Sequence, residues 1–260
     1  MDVTPELHAY YERDKEHLRL RAGRERLELW RTQDVLRRVL PPPPARVLDV
    51  GGGPGIHAEW LSGDGYEVTV VDPIPLHVER AARLPGVTAV AGDARRLPYP
   101  DAAVDAVLLL GPLYHLAERA DRVRALREAR RVVRPGGPVA AATINRHAAV
   151  LGTICLGHYL REPERRAAHA AAADGVMLSP GAGFTAYFHD PDEVPGEFSD
   201  AGLRDPVRYG VEGAFWLYGD MDDWLDDPWR RELVLDAQRS METEPTLLGV
   251  SGHMLTVGVG

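Results

Sequence analysis

Val47-Leu-Asp-Val-Gly-Gly-Gly-Pro-Gly55 is the stretch of sequence that decides the fold. Its apolar start, bounded by proline and glycine, predicts a buried β-strand that ends near Asp49. Gly51, Gly53 and Gly55 follow at alternate positions, and glycine tolerates positive φ and a close approach of the backbone to a ligand. A helix is predicted directly after the loop, so its first N–H groups would face a polar ligand. The stretch therefore predicts a cofactor-binding loop.

Strands and helices alternate around this loop. Short apolar runs predict seven strands, at 46–50, 66–71, 87–90, 105–110, 138–143, 207–211 and 253–259. Helices are predicted at 23–40, after the glycine loop to about 61, and at 118–133, 146–172, 190–201 and 220–240, and a glycine-rich loop at 173–187. The alternation predicts an α/β fold with parallel strands and right-handed crossovers.

The composition limits the classes of partner. Of the 260 residues 45% are hydrophobic, which is enough for a core, and the net charge of -9 argues against a nucleic-acid partner. Of the 30 basic residues all but Lys15 are arginine, and most, including the seven of helix 118–134, are expected on a solvated surface. The single cysteine, Cys155, argues against an internal disulfide or a cysteine-rich metal site. We expect a cytoplasmic protein with no metal and no membrane partner, because no apolar run approaches a membrane span and the N-terminus lacks a signal-peptide core.

The spacing Asp-x-Gly-x-Gly-x-Gly over 49–55 resembles motif I of the class I (Rossmann-like) S-adenosylmethionine-dependent methyltransferases. NAD-dependent enzymes use Gly-x-Gly-x-x-Gly/Ala instead. Here Ile56 replaces their third glycine, and Asp49 would repel a pyrophosphate. Later stretches resemble the methyltransferase pattern in the same order over residues 46–143: Asp72, Gly92-Asp-Ala94, Leu97-Pro-Tyr-Pro-Asp101 and Arg134-Pro-Gly-Gly137.

The resemblance implies S-adenosylmethionine as the cofactor and assigns its contacts. Asp49 is expected near the cationic amino acid part, and the glycines let the homocysteine and ribose approach. Asp72 is expected to accept hydrogen bonds from the ribose hydroxyls, and Asp93 from the adenine amino group. The cofactor-binding residues expected in the core are Asp49, Gly51, Gly53, Gly55, Asp72, Pro73, Asp93, Ala94 and Leu110.

Two residues upstream of motif I complete the expected cofactor site. In relatives with a helical N-terminal lid, a tyrosine and an arginine close over the cofactor, and Tyr11 and Arg31 stand at matching places. A guanidinium can hold the cofactor carboxylate with two hydrogen bonds. The alternative is that Arg31 is a surface arginine and that Tyr11 packs the lid.

The implied fold is a doubly wound, mostly parallel seven-stranded sheet with N-terminal helices and a helical cap inserted after strand five. Four regions follow from it: a lid at 1–44, the cofactor-binding core at 45–145, a substrate cap at 146–204, and closing strands with an acidic helix at 205–260.

Methyl transfer from a sulfonium is an in-line displacement, so the protein mainly positions, desolvates and deprotonates the acceptor. In this fold the end of strand four faces the methyl group, which makes His115 the candidate general base. The alternative is that His115 hydrogen-bonds the backbone and shapes its loop. Further residues expected around the acceptor are Tyr114, His147, Tyr187, His189 and Glu212, with a helix-capping role as the alternative for His189.

These observations predict transfer of a methyl group to an oxygen or nitrogen of a small molecule. The stretch after strand four is not the Asn/Asp-Pro-Pro-Tyr/Phe of base-amino methylation in DNA, and it lacks the acid pair of magnesium-dependent catechol enzymes. An NAD(P)-dependent oxidoreductase and a non-catalytic cofactor-binding partner protein of the same fold are the alternatives. The oligomeric state is left open, a homodimer being one option.

Overall fold

The computed structural model of the chain describes residues 20–178 and 185–260, so Tyr11 lies outside the described residues. Within these ranges the strands are β1 (Arg46–Val50), β2 (Glu67–Asp72), β3 (Val87–Ala91), β4 (Ala106–Leu109), β5 (Pro138–Asn145), β6 (Val176–Leu178), β7 (Thr185–His189), β8 (Arg204–Gly210) and β9 (His253–Val259). The α-helices are α1 (Arg26–Val39), α2 (Ile56–Gly63), α3 (Pro75–Ala81), α4 (Arg119–Val132), α5 (Ala148–Cys155), α6 (Glu162–Asp174), α7 (Val194–Asp200), α8 (Met221–Asp226), α9 (Pro228–Met241) and α10 (Pro245–Leu248).

The central sheet is parallel and its strand order reverses beside β1. The order β3-β2-β1-β4-β5 is parallel throughout, so the chain runs outward from β1 to β3 and then returns to β4 on the other side of β1. β9 closes the sheet antiparallel to β5, and β8 pairs with β9 in the same sense. Ligands of open α/β sheets bind at the carboxyl ends of the strands where the order reverses.

Helices cover both faces of the sheet. On one face Val123, Leu126 and Ala129 of α4 and Phe198 of α7 pack on buried strand residues such as Leu109. On the other face, apolar residues of α1, α2 and α3 pack on the strands: Val35, Leu36, Ala58, Leu61 and Ala81. This two-sided packing confirms the doubly wound α/β architecture that the sequence predicts. Among the described residues there is no helix with the length and apolar character to span a membrane.

The seven predicted strands are present, but the structure adds two and divides two helices. β6 and β7 lie where the sequence predicts only a glycine-rich loop, and they pair antiparallel after Gly175 ends α6 in the left-handed conformation. The helix predicted at 146–172 is broken at Gly157, whose φ is 69°. The one predicted at 220–240 is broken at Asp227, whose side chain accepts the N–H groups of Trp229 and Arg230 and caps α9.

One arginine of α4 is a core residue. Arg122 is only 2% exposed. Its guanidinium lies 2.8 Å from a carboxylate oxygen of Glu197, donates to the carbonyls of Leu116 and Ala117, and stacks 3.7 Å from the ring centroid of Tyr187. It therefore joins α4 to α7, to β7 and to the segment that precedes α4. The expectation that the arginines of this helix are solvated is wrong for this residue.

Replacing Arg122 by alanine is expected to cost about 3–5 kcal/mol of unfolding free energy, because it leaves Glu197 buried without its cation. Urea unfolding at neutral pH measures this loss. Arg124, exposed on the same helix, is the matched control, and Arg124→Ala is expected to stay within about 0.5 kcal/mol of the parent. Equal losses in the two variants would contradict the buried role of Arg122.

Candidate active site

The glycine loop turns from β1 into α2 within five residues. Gly51, Gly53 and Gly55 have φ values of 67°, 57° and 94°, in the left-handed region that favours glycine. A Cβ on Gly51 would lie 2.6 Å from the Pro112 ring, and one on Gly55 would lie 2.5 Å from a methyl of Leu84. A Cβ on Gly53 would meet nothing closer than 4.0 Å. Gly51 and Gly55 are thus required by the protein's own packing, whereas Gly53 leaves room beside the loop.

A cleft opens above this loop, at the carboxyl ends of β1 to β4. Of the sequence-predicted residues, the structure brings together along its wall Gly51, Gly53, Asp72, Pro73, Asp93, Ala94, Leu110, Tyr114 and His115. Gly55 lies behind the wall as the residue that precedes α2. Lining residues that the sequence analysis missed include Glu28, Gly52, Ile74, His77, Pro112 and Leu116. Gly52 stands inside the glycine stretch, and Pro112 follows the predicted fourth strand at 105–110. Nothing in the sequence distinguishes His77 or Glu28.

Asp49 lies behind the loop as a fully buried acid. Gly52, which lines the cleft, lies against this acid. A Cβ on Gly52 would lie 2.5 Å from one of the Asp49 carboxylate oxygens, so this position requires glycine. Neither carboxylate oxygen has a hydrogen-bond partner among the described residues. Burial, reinforced by the negative charge of Asp72, raises the pKa of Asp49 to about 7. A buried acid in this state is stabilised by a cationic group brought to the cleft, and it disfavours an anionic one.

Asp72 fastens the loop to the end of β2. The N–H of Gly53 donates to one of its carboxylate oxygens and the N–H of Ile74 to the other, each at 2.9 Å. The Nδ1 atom of His77 lies 3.1 Å from the second oxygen. A carboxylate oxygen can accept about two hydrogen bonds, so the oxygen that accepts from Gly53 keeps acceptor capacity toward a ligand.

Asp93 follows β3 and is held by Arg95. The guanidinium of Arg95 donates to both carboxylate oxygens, and it also pairs with Asp121 at 2.6 Å. The backbone N–H of Arg95 donates to the same acid. Arg95 therefore fixes the orientation of Asp93 on the wall of the cleft.

Tyr114 and His115 lie on the 3₁₀ turn Pro112–His115 that follows β4. Their rings meet edge to face with centroids 4.7 Å apart, and the Tyr114 hydroxyl lies 3.4 Å from the Leu110 carbonyl. Burial lowers the pKa of His115 to about 4, although the negative charge of Asp72 acts in the opposite direction. The imidazole is therefore neutral at pH 7, and it can accept a proton only as a weak base.

The structure does not bring Arg31 to the cleft. Its side chain is fully buried, and its three nitrogens contact Asp34, Glu242 and the carbonyl of Val211. These bonds tie α1 to the end of α9 and to the segment after β8. Arg31 is a buried structural cation, so the alternative of a surface arginine is wrong, and it does not line the cleft among the described residues.

Three residues predicted around the acceptor also lie elsewhere. His147 is exposed and precedes α5. Tyr187 is buried between Arg122 and Glu193, to which its hydroxyl donates at 2.9 Å. His189 is fully buried, with Nε2 3.5 Å from Glu197, and burial lowers its pKa. None of these three side chains lines the cleft formed by the described residues. His147 faces solvent, and Tyr187 and His189 are held in the packing of the segment after β5.

Glu212 lines a second cavity, which lies between α1, α5 and the start of β9. The cavity is bordered by Arg24, Glu25, Glu28, Ile144, Ala148, Ala149, Gly152, Thr153, Met177, Phe188, Glu212, Trp216, Gly252 and His253. Glu28 lines both this cavity and the cleft above the glycine loop. The two spaces therefore share a wall.

Comparison with known proteins connects this geometry to a family. Residues 48–141 match the family described as a methyltransferase domain. A demethylmenaquinone methyltransferase of Roseiflexus castenholzii is 32% identical over 192 residues, which cover 71% of this chain and 77% of the relative. An uncharacterised methyltransferase of Mycobacterium tuberculosis is 45% identical over 101 residues, 38% of this chain, and the match spans only 40% of that relative's length.

A solved structure extends the likeness over almost the whole chain. It is a methyltransferase from Thermotoga maritima that depends on S-adenosylmethionine and is described as a possible histamine N-methyltransferase. Its TM-score is 0.62 at 20% sequence identity, and the match covers 97% of this chain and 98% of that one. At this identity the likeness concerns the fold.

Asp49→Asn is expected to stabilise the protein without ligand at high pH. Because burial raises the pKa of Asp49 to about 7, the folded protein holds this proton more tightly than the unfolded chain does. The parent therefore loses stability between about pH 4 and pH 7 and does not regain it above, whereas Asn does not titrate. Urea unfolding should give a gain of about 2–4 kcal/mol at pH 8 that shrinks toward pH 4.5.

The surface variant Glu79→Gln is the control for that comparison, because the Glu79 side chain is 61% exposed. It is expected to show no gain that grows with pH. A gain for Asp49→Asn that is equal at pH 4.5 and pH 8 would show that burial of the charge is not its cause.

Proposed function

Because the chain belongs to the class I S-adenosylmethionine-dependent methyltransferases, we propose that it transfers a methyl group from S-adenosylmethionine to an oxygen or nitrogen of a small molecule. The observation that carries the proposal is the buried Asp49 carboxylate, which has no hydrogen-bond partner among the described residues and lies behind Gly52. A cationic amino acid group at this point would offset the cost of ionising Asp49. The pyrophosphate of a dinucleotide would add to that cost.

The residues of the cleft fit the other parts of the cofactor. Gly53 leaves room for it beside the loop. Asp72 presents a carboxylate oriented by two backbone N–H groups, which suits ribose hydroxyls, and Asp93 is oriented by Arg95, which suits the adenine amino group. S-adenosylmethionine would supply, when bound, a methyl group on a positively charged sulfur. That sulfur is the leaving group when the acceptor's lone pair forms the new bond to the methyl carbon. The protein then has to hold the acceptor atom in line with the breaking C–S bond and to exclude water from the site.

We further propose that His115 accepts the acceptor's proton or a hydrogen bond from it. It stands on the wall of the cleft after β4, beside Tyr114. Its lowered pKa keeps the imidazole neutral at working pH, but it also makes proton transfer from a hydroxyl unfavourable. The contribution of His115 is therefore expected to be smaller than that of a base whose pKa matches the pH.

A small molecule is the acceptor class that we propose. The Roseiflexus relative is named for a small-molecule substrate, demethylmenaquinone, and both spaces described above are concave, half-open pockets rather than flat surfaces. The net charge of -9 disfavours a polyanionic substrate.

Gly53→Ala is expected to lower the affinity for S-adenosylmethionine at least about tenfold, because the new methyl group enters the space left beside the loop. Isothermal titration calorimetry of the purified protein measures this. Gly136→Ala is the matched control: its φ is 81°, so it carries a similar backbone strain, but a Cβ there would meet nothing within 4 Å.

Both glycine variants are expected to lose a similar amount of stability, and only Gly53→Ala should lose cofactor affinity. Titration with NADH runs in parallel. Binding of NADH in preference to S-adenosylmethionine would overturn the proposal in favour of an oxidoreductase. Cofactor binding without methylation of any small acceptor would favour the non-catalytic partner.

His115→Ala is expected to lower kcat about 10- to 100-fold with cofactor affinity unchanged, below the loss typical of a well-matched base. A base acts when deprotonated, so a pKa of about 4 predicts that the loss of rate caused by His115→Ala is the same at every pH from 6 to 9 and shrinks only as the pH drops toward 4. Release of S-adenosylhomocysteine across this pH range gives the profile. A ratio of parent to variant rates that falls between pH 7 and 6, or an unchanged rate in the variant, would remove His115 from this role.

A further inference from the structure

The second cavity combines an apolar wall with one polar end. Ile144, Ala148, Met177, Phe188 and Trp216 supply apolar and aromatic surface. The polar residues gather at the side where α1 approaches the start of β9. A cavity of this kind suits a mostly apolar small molecule with a single polar group.

The polar end is built from Glu28, Glu212 and His253. The Nδ1 atom of His253 lies 2.5 Å from one oxygen of Glu212 and 3.6 Å from an oxygen of Glu28. Only 6% of the Glu212 side chain and 16% of the Glu28 side chain are exposed. Two carboxylates and an imidazole therefore converge at one point, away from bulk water.

Glu212 is rigidly oriented at this point. Its second carboxylate oxygen accepts from the Ser251 hydroxyl at 3.0 Å and from the backbone N–H of His253 at 2.9 Å. An acid held by several donors keeps a fixed position.

The geometry favours an organic cation over a metal ion. Three ligand atoms lie within 4.8 Å of one another, as a metal site would need. However, the 2.5 Å between His253 Nδ1 and Glu212 is a hydrogen-bond distance, shorter than the roughly 3 Å that separates two ligands each about 2.1 Å from one ion. Three carboxylates (Glu25 included) face one arginine among the lining residues, so the cavity is negatively charged.

Glu28 connects this polar end to the cofactor cleft. It projects from α1 and lines both the second cavity and the cleft that contains His115 and the glycine loop. A polar group bound at Glu28 is therefore placed on the side of the cavity that faces the cleft. An acceptor nitrogen held at Glu28 lies at the boundary of the two spaces, where it must contact the methyl group directly for transfer.

We propose that the second cavity binds the methyl acceptor and that the acceptor is an apolar molecule carrying a protonated amine, held by Glu28 and by the Glu212–His253 pair. Before transfer the ammonium group gives one proton to the Glu28 carboxylate. The freed nitrogen lone pair then forms the bond to the methyl carbon, and the C–S bond breaks with its electrons left on the sulfur of S-adenosylhomocysteine. The proposal rests on the proposed methyl transfer, whose acceptor it specifies as an amine. The apolar wall would take the hydrocarbon or aromatic body. The carboxylates would bind the ammonium group and repel a carboxylate or a phosphate.

The test compares three probes that share a phenylethyl body and differ in the polar group: 2-phenylethylamine, 2-phenylethanol and 3-phenylpropionate. Each is titrated calorimetrically into the full chain at pH 7.5, with and without saturating S-adenosylhomocysteine. The amine is expected to bind about tenfold more tightly than the alcohol, and the acid most weakly. Glu28→Gln, which keeps the shape of the side chain, should remove most of this preference and change the affinity for the alcohol less than about twofold.

Glu79→Gln, on the exposed face of α3, is the matched control and should leave all three affinities unchanged. Glu212→Gln should also lose the amine preference, and if it fails to fold, Glu28→Gln alone decides. The proposal is overturned if the alcohol or the acid binds as well as the amine, if none of the probes binds, or if Glu28→Gln weakens all three equally. Failure of S-adenosylhomocysteine itself to bind would count against the proposed function, while the titrations without it still decide the acceptor.

Discussion

Three glycines at positive φ let the chain leave β1 and enter α2 within five residues, and the arrangement of the site depends on that turn. Gly51 admits the Pro112 ring and Gly55 admits Leu84, so the loop is fixed from both sides by side chains of later segments. Asp72 then holds the loop by accepting the N–H of Gly53. A compact turn of this kind exposes the carboxyl ends of β1, β2 and β4 to one cleft, where larger side chains would fill the space.

The same turn buries Asp49, an acid to which the described residues offer no hydrogen-bond partner. Gly52 allows the backbone to cover Asp49 so closely that water is excluded, and burial then raises the pKa of Asp49 to about 7. Stability is lost wherever such a group must ionise. Sites of this type commonly trade folding free energy for binding, because a ligand of opposite charge recovers what the empty site gives up.

The fold and the cofactor cleft were largely predictable from sequence because their signals are local. A strand, a glycine loop and an acid at the next strand end are read within a few residues of one another, and parallel strands bring those ends together. Arg31 and Arg122 show where this fails. In a chain whose basic residues are almost all arginine, the buried ones look like the surface ones, and their partners, Glu242 and Glu197, lie 211 and 75 residues away. Tyr187 and His189 were expected around the acceptor, but the packing of the short strands β6 and β7 directs both side chains into the protein. Their contacts there also come from residues that are distant in sequence or not distinguished by any local pattern.

The long-range packing of α1 determines the position of Glu28, the residue that lines both the cleft and the second cavity. Glu28 reaches both of them from α1, and α1 is tied to the rest of the molecule through the ion pairs of Arg31 and Arg38 with Glu242. The buried cation that was expected to hold the cofactor thus anchors the helix that supplies Glu28. Loss of this anchor would shift Glu28 relative to Glu212 and His253, whose positions are set by β9 and its preceding turn. The placement of the second cavity relative to the cleft above the glycine loop therefore depends on structural ion pairs that line neither space.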